Sequence, residues 1–131
     1  MKDQDRKFPD LKQAGQLYSQ KEIDGFIKDH DDPTRTCEEF SKEILMKLLS
    51  LPNCGGLRVY YGKALETEAN GPYEPSRMSA KGTKKGKRLF FVPIDANYRE
   101  IEFSLTADGL KDGGDGRGAG NGVPIPPYGR P

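Results

Sequence analysis

Apolar residues in the segment "SQKEIDGFIKDH" are spaced as they are on one face of a helix. The apolar positions are Ile23, Phe26 and Ile27. Their i, i+3, i+4 spacing is typical of an amphipathic helix. Ser19 and Glu22 have the spacing of a capping box, in which each residue satisfies an unpaired backbone N–H group of the other. This pattern predicts a first helix that begins after Ser19 and ends near His30.

The segment "DDPTRTCEEFSKEILMKLLSLPNCGG" has the longest helical pattern of the chain. Asp32 followed by Pro33 fits an N-cap and a first helical position, and Thr36 with Glu39 offers a second capping box one turn later. Pro52 forbids continuation of the helix. A second helix is therefore predicted from one of these two starts to the residue before Pro52. The apolar face of this helix is formed by Cys37, Phe40, Ile44, Leu48 and Leu51.

The spacing of apolar residues changes to a period of two after Gly56. Segments 57–62, 88–95 and 100–105 have the alternating or continuous apolar character of strands. We predict an α+β fold in which the two N-terminal helices pack on a three-stranded antiparallel meander. A loop of residues 63–87 joins the first two strands, and loops of this length are usually functional or disordered.

Both ends of the chain are poor in apolar residues. Residues 1–16 are mostly polar, and residues 109–131 hold eight glycines and four prolines. Such a composition leaves too little apolar surface to offset the entropy of ordering the chain. We therefore predict a flexible segment at 1–16, a single packed domain at 17–105 and a disordered tail at 106–131. A chain that ends at Asp108 is expected to keep its fold.

The charge is balanced overall but uneven along the chain. The net charge of +1, from 21 basic and 20 acidic residues, argues against a wholly basic nucleic-acid binder. The excess positive charge lies in residues 57–94, which carry a net charge of +5. Two cysteines are too few for a disulfide scaffold. Neither a signal peptide nor an apolar run of the ~20 residues that a membrane span needs is visible. A cytoplasmic protein with reduced thiols is expected.

The segment "KGTKKGKR" at residues 81–88 concentrates the positive charge. Its basic residues are Lys81, Lys84, Lys85, Lys87 and Arg88. The segment has one residue too few for a phosphate-binding P-loop, and Arg88 stands where that motif needs Ser or Thr. Two interpretations remain: a solvated lysine-rich loop beside a strand, or a site that attracts nucleic acid or another polyanion. Tyr60, Tyr61 and Tyr73 could supply stacking faces for the second interpretation.

The C-terminal segment "VPIPPYGRP" interrupts a polar stretch with prolines and apolar side chains. Pro124, Pro126 and Pro127 favour the polyproline II conformation, and Pro124-x-x-Pro127 is a minimal recognition pattern. Tyr128 follows directly, without the spacer residue of a Pro-Pro-x-Tyr ligand. The segment is predicted either to bind a protein partner or to lie on its own domain.

The sequence predicts no catalytic, cofactor or metal site. Cys54 and His30 fall at opposite points of the predicted helix pair, too far apart for a nucleophile and its base. Two cysteines and one histidine are also an incomplete zinc set. The segment "GGDGRGAGNG" lacks the aspartate of a calcium-binding repeat. It neither directly follows a core strand nor opens a helix, as a dinucleotide fingerprint would.

Two segments, "CGGLRVYYGK" and "LFFVPIDANYREI", resemble a group of small bacterial proteins. Those proteins have a helix, a strand of the type Gly-Leu-Arg-x-Tyr-x-Gly-Lys and a second strand of the type Val-Pro-x-Asp-Ala-Asn. The resemblance covers residues 45–101. It implies a small bacterial α+β protein, and no activity is known for the group, so no site residue carries over.

The predicted function is binding without catalysis. We expect a small interaction module that binds a protein partner through its sheet edge or through the proline-rich tail. The alternative is binding of nucleic acid or another polyanion through residues 81–88.

Overall fold

The computed structural model describes residues 8–28, 35, 37–70, 74–106, 109–112, 114 and 116–125. These residues form a short 3-10 helix at Leu11–Gln13, two α-helices and six strands. The helices are α1 (Gln20–Lys28) and α2 (Lys42–Leu49). The strands are β1 (Cys37–Glu39), β2 (Gly56–Glu66), β3 (Lys84–Ile94), β4 (Phe103–Thr106), β5 (Gly109–Asp112) and β6 (Val123–Ile125).

The strands pair antiparallel, and with the two helices they make an α+β architecture. Within the described residues there are three two-stranded sheets: β1 with β6, β2 with β3, and β4 with β5. The prediction of a three-stranded meander is wrong, because β4 pairs with β5 and not with β3. An isolated bridge between Ile94 and Glu100 joins β3 to the segment that precedes β4.

The β2–β3 hairpin is the centre of the molecule. Its register runs from Gly56 opposite Ile94 to Glu66 opposite Lys84. Residues directly opposite each other share a face, and successive residues of a strand point to opposite faces. One face of the hairpin, which we call the front face, therefore carries the odd-numbered residues of both strands. The back face carries the even-numbered residues.

The core lies where α2 covers the front face. Its buried residues are Leu48, Leu51, Phe103 and Ala119, with Ile44, Cys54, Leu57, Phe91 and Ile101 packed around them. The ring of Phe40 stands edge-on to the ring of Phe91, with 4.7 Å between the centroids. Burial of such apolar surface is the main driving force for folding. The predicted apolar face of α2 is confirmed at Ile44, Leu48 and Leu51.

The N-terminal part of the predicted second helix is a strand. Cys37–Glu39 forms β1 and pairs with β6. The helix begins only after Ser41, whose Oγ accepts a backbone hydrogen bond of 3.1 Å in the first turn. A continuous helix from Thr36, or from Asp32 and Pro33, is therefore wrong, although these three residues themselves lie outside the described ones. Pairing with a distant strand outweighs the local helical pattern here.

The first helix forms as predicted but does not pack as predicted. The capping box is present: the backbone N–H of Glu22 donates to Ser19 Oγ at 3.2 Å, and the backbone N–H of Ser19 donates to Glu22 Oε1 at 3.3 Å. However, α1 contains no buried residue, and the side chain of Phe26 is 61% exposed. The prediction that both helices pack on the sheet is wrong for α1.

The C-terminal segment is packed and not disordered over its described part. Gly109–Asp112 forms β5, and Val123–Ile125 forms β6. Between them, Ala119 and Phe91 exchange two backbone hydrogen bonds of 2.8 and 2.9 Å. The segment therefore adds to the outer edge of β3 and continues to β1. The proposed boundary at residue 105 cuts through these contacts.

Glycine allows the C-terminal segment to approach aromatic rings. Gly116 pairs with Phe103 through two backbone hydrogen bonds, and a Cβ atom added at Gly116 would lie 2.6 Å from the Phe103 ring. A Cβ atom added at Gly120 would lie 2.7 Å from the Phe90 ring. No side chain fits at such distances, because protein interiors are already close-packed. The high glycine content of this segment predicts disorder, but in the structure Gly116 and Gly120 pack against aromatic rings.

Candidate functional site

The basic segment lies mostly in a strand and not in a loop. Lys81 is in a turn, whereas Lys84, Lys85, Lys87 and Arg88 belong to β3. The predicted loop at 63–87 is therefore wrong at both of its ends, and the connection between the strands spans residues 67–83. Because side chains alternate along a strand, Lys85 and Lys87 lie on the front face. Lys84 and Arg88 lie on the back face.

Arg88 is enclosed by protein, and its side chain has no exposed surface. Its Nε donates to Glu66 Oε2 at 2.9 Å, and one terminal nitrogen donates to Glu38 Oε2 at 3.1 Å. The backbone carbonyl groups of Gly122 and Ser76 accept hydrogen bonds of 2.9 and 3.0 Å from the same guanidinium. Arg88 therefore joins β1, β2 and the C-terminal segment to β3. The hypothesis that residues 81–88 bind a polyanion requires an accessible Arg88, and the buried side chain does not meet that requirement.

The ion network around Arg88 extends to Arg35. The guanidinium of Arg35 lies 2.8 Å from Glu66 Oε1 and also donates to the backbone carbonyl of Lys87 at 2.8 Å. Burial alone raises the pKa of Glu66, but the hydrogen bonds and charges of Arg35 and Arg88 together lower it. Glu38 Oε1 accepts the backbone N–H of Leu89 at 2.9 Å. Sequence reasoning missed this network because its members are far apart in the chain.

The front face is exposed at the end that α2 does not cover. Six residues make up this surface, which we call the lysine–tyrosine face: Val59, Tyr61, Lys63, Leu65, Lys85 and Lys87. The side chain of Tyr61 is 88% exposed, and Lys63 lies directly opposite Lys87. Like charges that face each other across strands are destabilising. An exposed aromatic ring beside three ammonium groups is a feature of binding surfaces and not of a core.

A groove of about 230 Å³ lies beside Tyr61. Lys87, Leu89 and Cys37 line it together with Arg35. The carboxylate of Glu38 and the guanidinium of Arg88 reach the groove but bond to each other. The groove therefore offers an apolar surface with basic groups at its rim.

The outer edge of β2 carries backbone groups that have no partner among the residues that the structure describes. At its C-terminal end the edge is covered, because Ser79 donates to the carbonyl of Leu65 at 3.0 Å and Thr67 donates to the carbonyl of Arg77 at 2.8 Å. Neighbouring residues of a strand direct their backbone groups to opposite sides. The odd-numbered residues of β2 therefore face outward. From Leu57 to Lys63, no described residue pairs with them.

The opposite edge of the hairpin is covered from Lys87 to Pro93. On β3, Phe91 pairs with Ala119, and the carbonyl of Pro93 accepts a hydrogen bond of 2.9 Å from Ile101. The N–H of Leu89 is bound by the carboxylate of Glu38. As far as the described residues show, the outer edge of β2 is therefore the side of the hairpin at which another strand can pair.

A second polar cluster surrounds Glu100. Its carboxylate accepts hydrogen bonds from Arg117 Nε at 3.0 Å, from the Tyr60 hydroxyl and from Arg58 at 3.0 Å. These bonds, with that of Arg117 the strongest, lower the pKa of Glu100 to about 2. The Arg117 guanidinium also lies 5.1 Å from the centroid of the Tyr60 ring. Because both guanidinium groups face the carboxylate, the cluster clamps the C-terminal segment to β2.

A shallow pocket of about 580 Å³ lies beside this cluster on the back face. Its lining includes Tyr60, Met78, Phe90, Val92 and residues 118–120. Two polar side chains line it as well: Arg117, which bonds to Glu100, and Asn121, whose Oδ1 accepts the backbone N–H of Met78 at 2.9 Å. Both side chains therefore tie the C-terminal segment to the rest of the domain at this pocket.

The proline-rich candidate is divided by the structure. Pro124 is fully buried and lies opposite Glu38 in the β1–β6 pair, so it packs on its own domain. Pro126, Pro127 and Tyr128 lie outside the described residues. Of the two interpretations of this segment, intramolecular packing holds for Pro124.

The remaining candidate features are the cysteine thiols, metal-binding groups and membrane-spanning helices. Cys37 and Cys54 are free thiols, and the thiol of Cys54 lies 3.4 Å from the carbonyl of Gly56. No group of three or more His, Cys, Asp and Glu residues in the described ranges could hold a metal ion. No described helix is long and apolar enough to cross a membrane. His30 lies outside these ranges.

Comparisons with protein families, with curated proteins and with solved structures found no match for this chain. The resemblance to small bacterial proteins therefore stays a prediction that depends on its two motifs. The Asp-Ala-Asn part of the second motif forms the turn after β3. There Asp95 Oδ1 accepts backbone N–H groups from Asn97 at 2.8 Å and from Arg99 at 3.0 Å.

Proposed function

We propose that this protein is a binding module that takes up an extended segment of a partner protein along the outer edge of β2. The observation that carries the proposal is the edge from Leu57 to Lys63, with which no described residue pairs and which lies beside the exposed ring of Tyr61. A binding role without catalysis and a cytoplasmic location are parts of the same proposal.

An added strand is the ligand that matches the chemistry of this edge. Val59, Tyr61 and Lys63 each present one N–H donor and one carbonyl acceptor outward. An extended peptide supplies the complementary acceptors and donors in the same alternation. Exposed edges of this kind attract other strands, and natural proteins usually cover or shorten them. The opposite edge of this hairpin is covered in that way from Lys87 to Pro93.

The side chains along the edge add contact area to the backbone pairing. Val59 and Leu65 are 41% and 37% exposed, on either side of Tyr61. Tyrosine is enriched among the residues that contribute most to binding free energy, because its rigid ring buries a large area. The lysine–tyrosine face therefore suits a partner segment that covers Tyr61.

A substitution at Val59 tests the proposal. Val59→Pro removes the outward N–H group, and it leaves the ladder with β3 intact because that ladder uses the even-numbered residues. Val59→Thr is the matched control, since it keeps both the N–H group and the β-branched shape. We expect peptides selected from a random displayed library against the wild-type protein to bind the Thr variant and to lose at least tenfold in affinity for the Pro variant.

Fluorescence anisotropy with the selected peptides measures these affinities. Equal affinity for the wild-type protein and the Val59→Pro variant would show that the peptides do not pair with this edge, and the proposal would fall. Circular dichroism of the Pro variant establishes that any loss of binding is not a loss of fold.

Polyanion binding is a second candidate, supported by three lysines on one exposed face. Lys63, Lys85 and Lys87 lie together beside Tyr61, and such a combination of cations and an aromatic ring is used to bind single-stranded nucleic acid. If all three lysines neutralise phosphates, the logarithm of the affinity should fall with the logarithm of the salt concentration with a slope of about 2.

Charge reversal distinguishes this second candidate. Lys63→Glu, Lys85→Glu and Lys87→Glu together should abolish binding to a labelled oligonucleotide at low salt. The control reverses the same charge elsewhere, at Lys12, Lys21 and Lys28, which lie on the 3-10 helix and α1. Equal loss in both triple variants would mean that only the net charge of the chain acts, and the lysine–tyrosine face would not be a nucleic-acid site.

A further inference from the structure

We infer that the partner segment carries an acidic residue opposite Lys63 and apolar residues opposite Tyr61 and Val59. This inference rests on the proposed function, because it concerns the segment that would pair with the outer edge of β2. It names the partner's chemistry as an acidic residue and two apolar residues at alternate positions.

The spacing follows from the geometry of strand pairing. A residue that lies opposite Lys63 on an added strand points its side chain to the same face as Lys63, at a Cβ separation of about 4.5–5.5 Å. Tyr61 and Val59 follow at steps of two on that face. An antiparallel partner therefore reads acidic-x-apolar-x-apolar, and a parallel partner reads the same pattern in reverse.

The preference for an acidic residue follows from the charges around Lys63. Its cross-strand neighbour is Lys87, and Lys85 lies two residues away on the same face. A carboxylate opposite Lys63 on the added strand would form an opposite-charge cross-strand pair with the Lys63 ammonium group, on the face that also carries Lys85.

The same features disfavour two other occupants of the edge. The odd-numbered residues of β2 include no acidic residue, so a second copy that paired through the same edge could not place a carboxylate opposite Lys63. A nucleic acid could satisfy the charges, but phosphate oxygens cannot donate hydrogen bonds to the outward carbonyl groups of Val59 and Tyr61. A peptide with a carboxylate satisfies both the charges and the backbone.

The test uses two capped synthetic peptides and the full chain. One peptide alternates threonine with aspartate, tyrosine and valine, and the other has lysine in place of the aspartate. We expect the wild-type protein to prefer the aspartate peptide by about fivefold, the upper range for one cross-strand pair. The Lys63→Glu variant should prefer the lysine peptide instead. Fluorescence anisotropy at low and high salt gives the affinities, and the preference should shrink at high salt.

The outcomes separate this inference from the proposed function. If Val59→Pro abolishes binding of both peptides while Lys63→Glu leaves the preference unchanged, the edge is the site but the acidic preference is refuted. If Val59→Pro has no effect, or neither peptide binds at millimolar concentration, the strand-addition proposal is refuted as well. If the chain forms dimers in sedimentation that Val59→Pro abolishes, a second copy occupies the edge and the acidic partner is refuted.

Discussion

Arg88 and its neighbours on β3 illustrate how position in a strand decides the role of a basic residue. Lys85 and Lys87 point to the exposed front face, whereas Arg88 points to the back face and is buried among carboxylates and carbonyl groups. Arginine is suited to such a site because its planar guanidinium has five N–H donors and stays charged. Charge density along the sequence alone could not separate these roles. The alternation of residues in a correctly assigned strand would have done so.

Replacement of Arg88 should destabilise the fold strongly. In Arg88→Met, the buried Glu38 loses its cationic partner and Glu66 loses one of two. Breaking a buried ion pair by removing one partner costs about 3–5 kcal/mol. Urea unfolding followed by circular dichroism measures this loss. Lys84→Met is the matched control, because Lys84 is exposed on the same strand, and its effect should stay within about 0.5 kcal/mol. Similar losses in both variants would contradict the role of the network.

Glu100 should make the stability depend on acid pH. Its pKa is lowered from 4.5 to about 2 by hydrogen bonds from Arg117, Tyr60 and Arg58. A carboxylate with a lowered pKa in the folded state stabilises the fold above the unfolded value near 4.5. That contribution is lost as the pH falls toward about 2. Glu100→Gln should therefore be less stable at pH 7 than the wild-type protein, with a smaller difference at pH 3.

The control for this pH dependence is Glu102→Gln, which removes an exposed carboxylate two residues away. Urea midpoints at pH 7 and pH 3 give both comparisons. If the difference between the wild-type protein and Glu100→Gln is the same at the two pH values, the hydrogen-bonded carboxylate does not contribute in the way described.

At the scale of elements, local signals predicted α1, α2 in part and both strands of the hairpin. The capping box of Ser19 and Glu22 and the period-two pattern of β2 are signals within a few residues. The strand β1 depends on a partner more than 80 residues away, as in the bond from Gly122 to Glu38, and the rest of the tail depends on non-local partners such as Phe91. No local sequence pattern predicts such pairing, and the high glycine content indicated disorder instead.

The candidate site was predictable only in outline. A sheet edge and a basic segment were both expected to bind a partner. That they lie side by side on the front face follows only from the register of β2 and β3, which the sequence does not give. The exposure of Tyr61 depends on the fact that α2 ends before it reaches that part of the sheet. Both features belong to the tertiary structure, so the sequence predicts the kind of binding surface but not which residues form it.

Two glycines should respond in opposite ways to alanine. In Gly120→Ala, the new Cβ atom would lie 2.7 Å from the Phe90 ring, so we expect a loss of about 1–3 kcal/mol in unfolding free energy from overpacking. At Gly25 in α1, nothing lies within 4 Å of an added Cβ atom. Gly25→Ala should leave the protein as stable as before, or more stable by up to about 1 kcal/mol. Thermal and urea unfolding measure both, and a harmless Gly120→Ala would contradict the close packing of the tail.

At the scale of the whole molecule, one hairpin is held in place by segments from both ends of the chain. The C-terminal segment pairs with β3 at Ala119 and reaches Arg88 through the carbonyl of Gly122. Near the N-terminus, the hydroxyl of Tyr98 donates to the carbonyl of Pro9 at 2.6 Å. A chain of this size buries limited apolar surface, so such contacts form an appreciable part of its stability.

Truncation after Asp108 should therefore destabilise the fold, contrary to the expectation from composition. The shortened chain lacks Ala119 and Gly122 and leaves the edge of β3 and one donor of Arg88 unpaired. We expect a lower urea midpoint or loss of the cooperative transition by circular dichroism. Addition of a separate peptide of residues 109–125 should restore the transition at least in part. A truncated chain as stable as the full one would refute this role of the tail.

The central claim is that the outer edge of β2 is unpaired in the free protein and paired in the complex. Amide hydrogen exchange, resolved by residue with NMR, tests it most directly. In the free protein, the amides of Val59, Tyr61 and Lys63 should exchange much faster than those of Tyr60 and Gly62, which pair with β3. With the aspartate peptide bound, all five should be slow. Equal protection of both sets in the free protein, or no change on binding, would contradict the account.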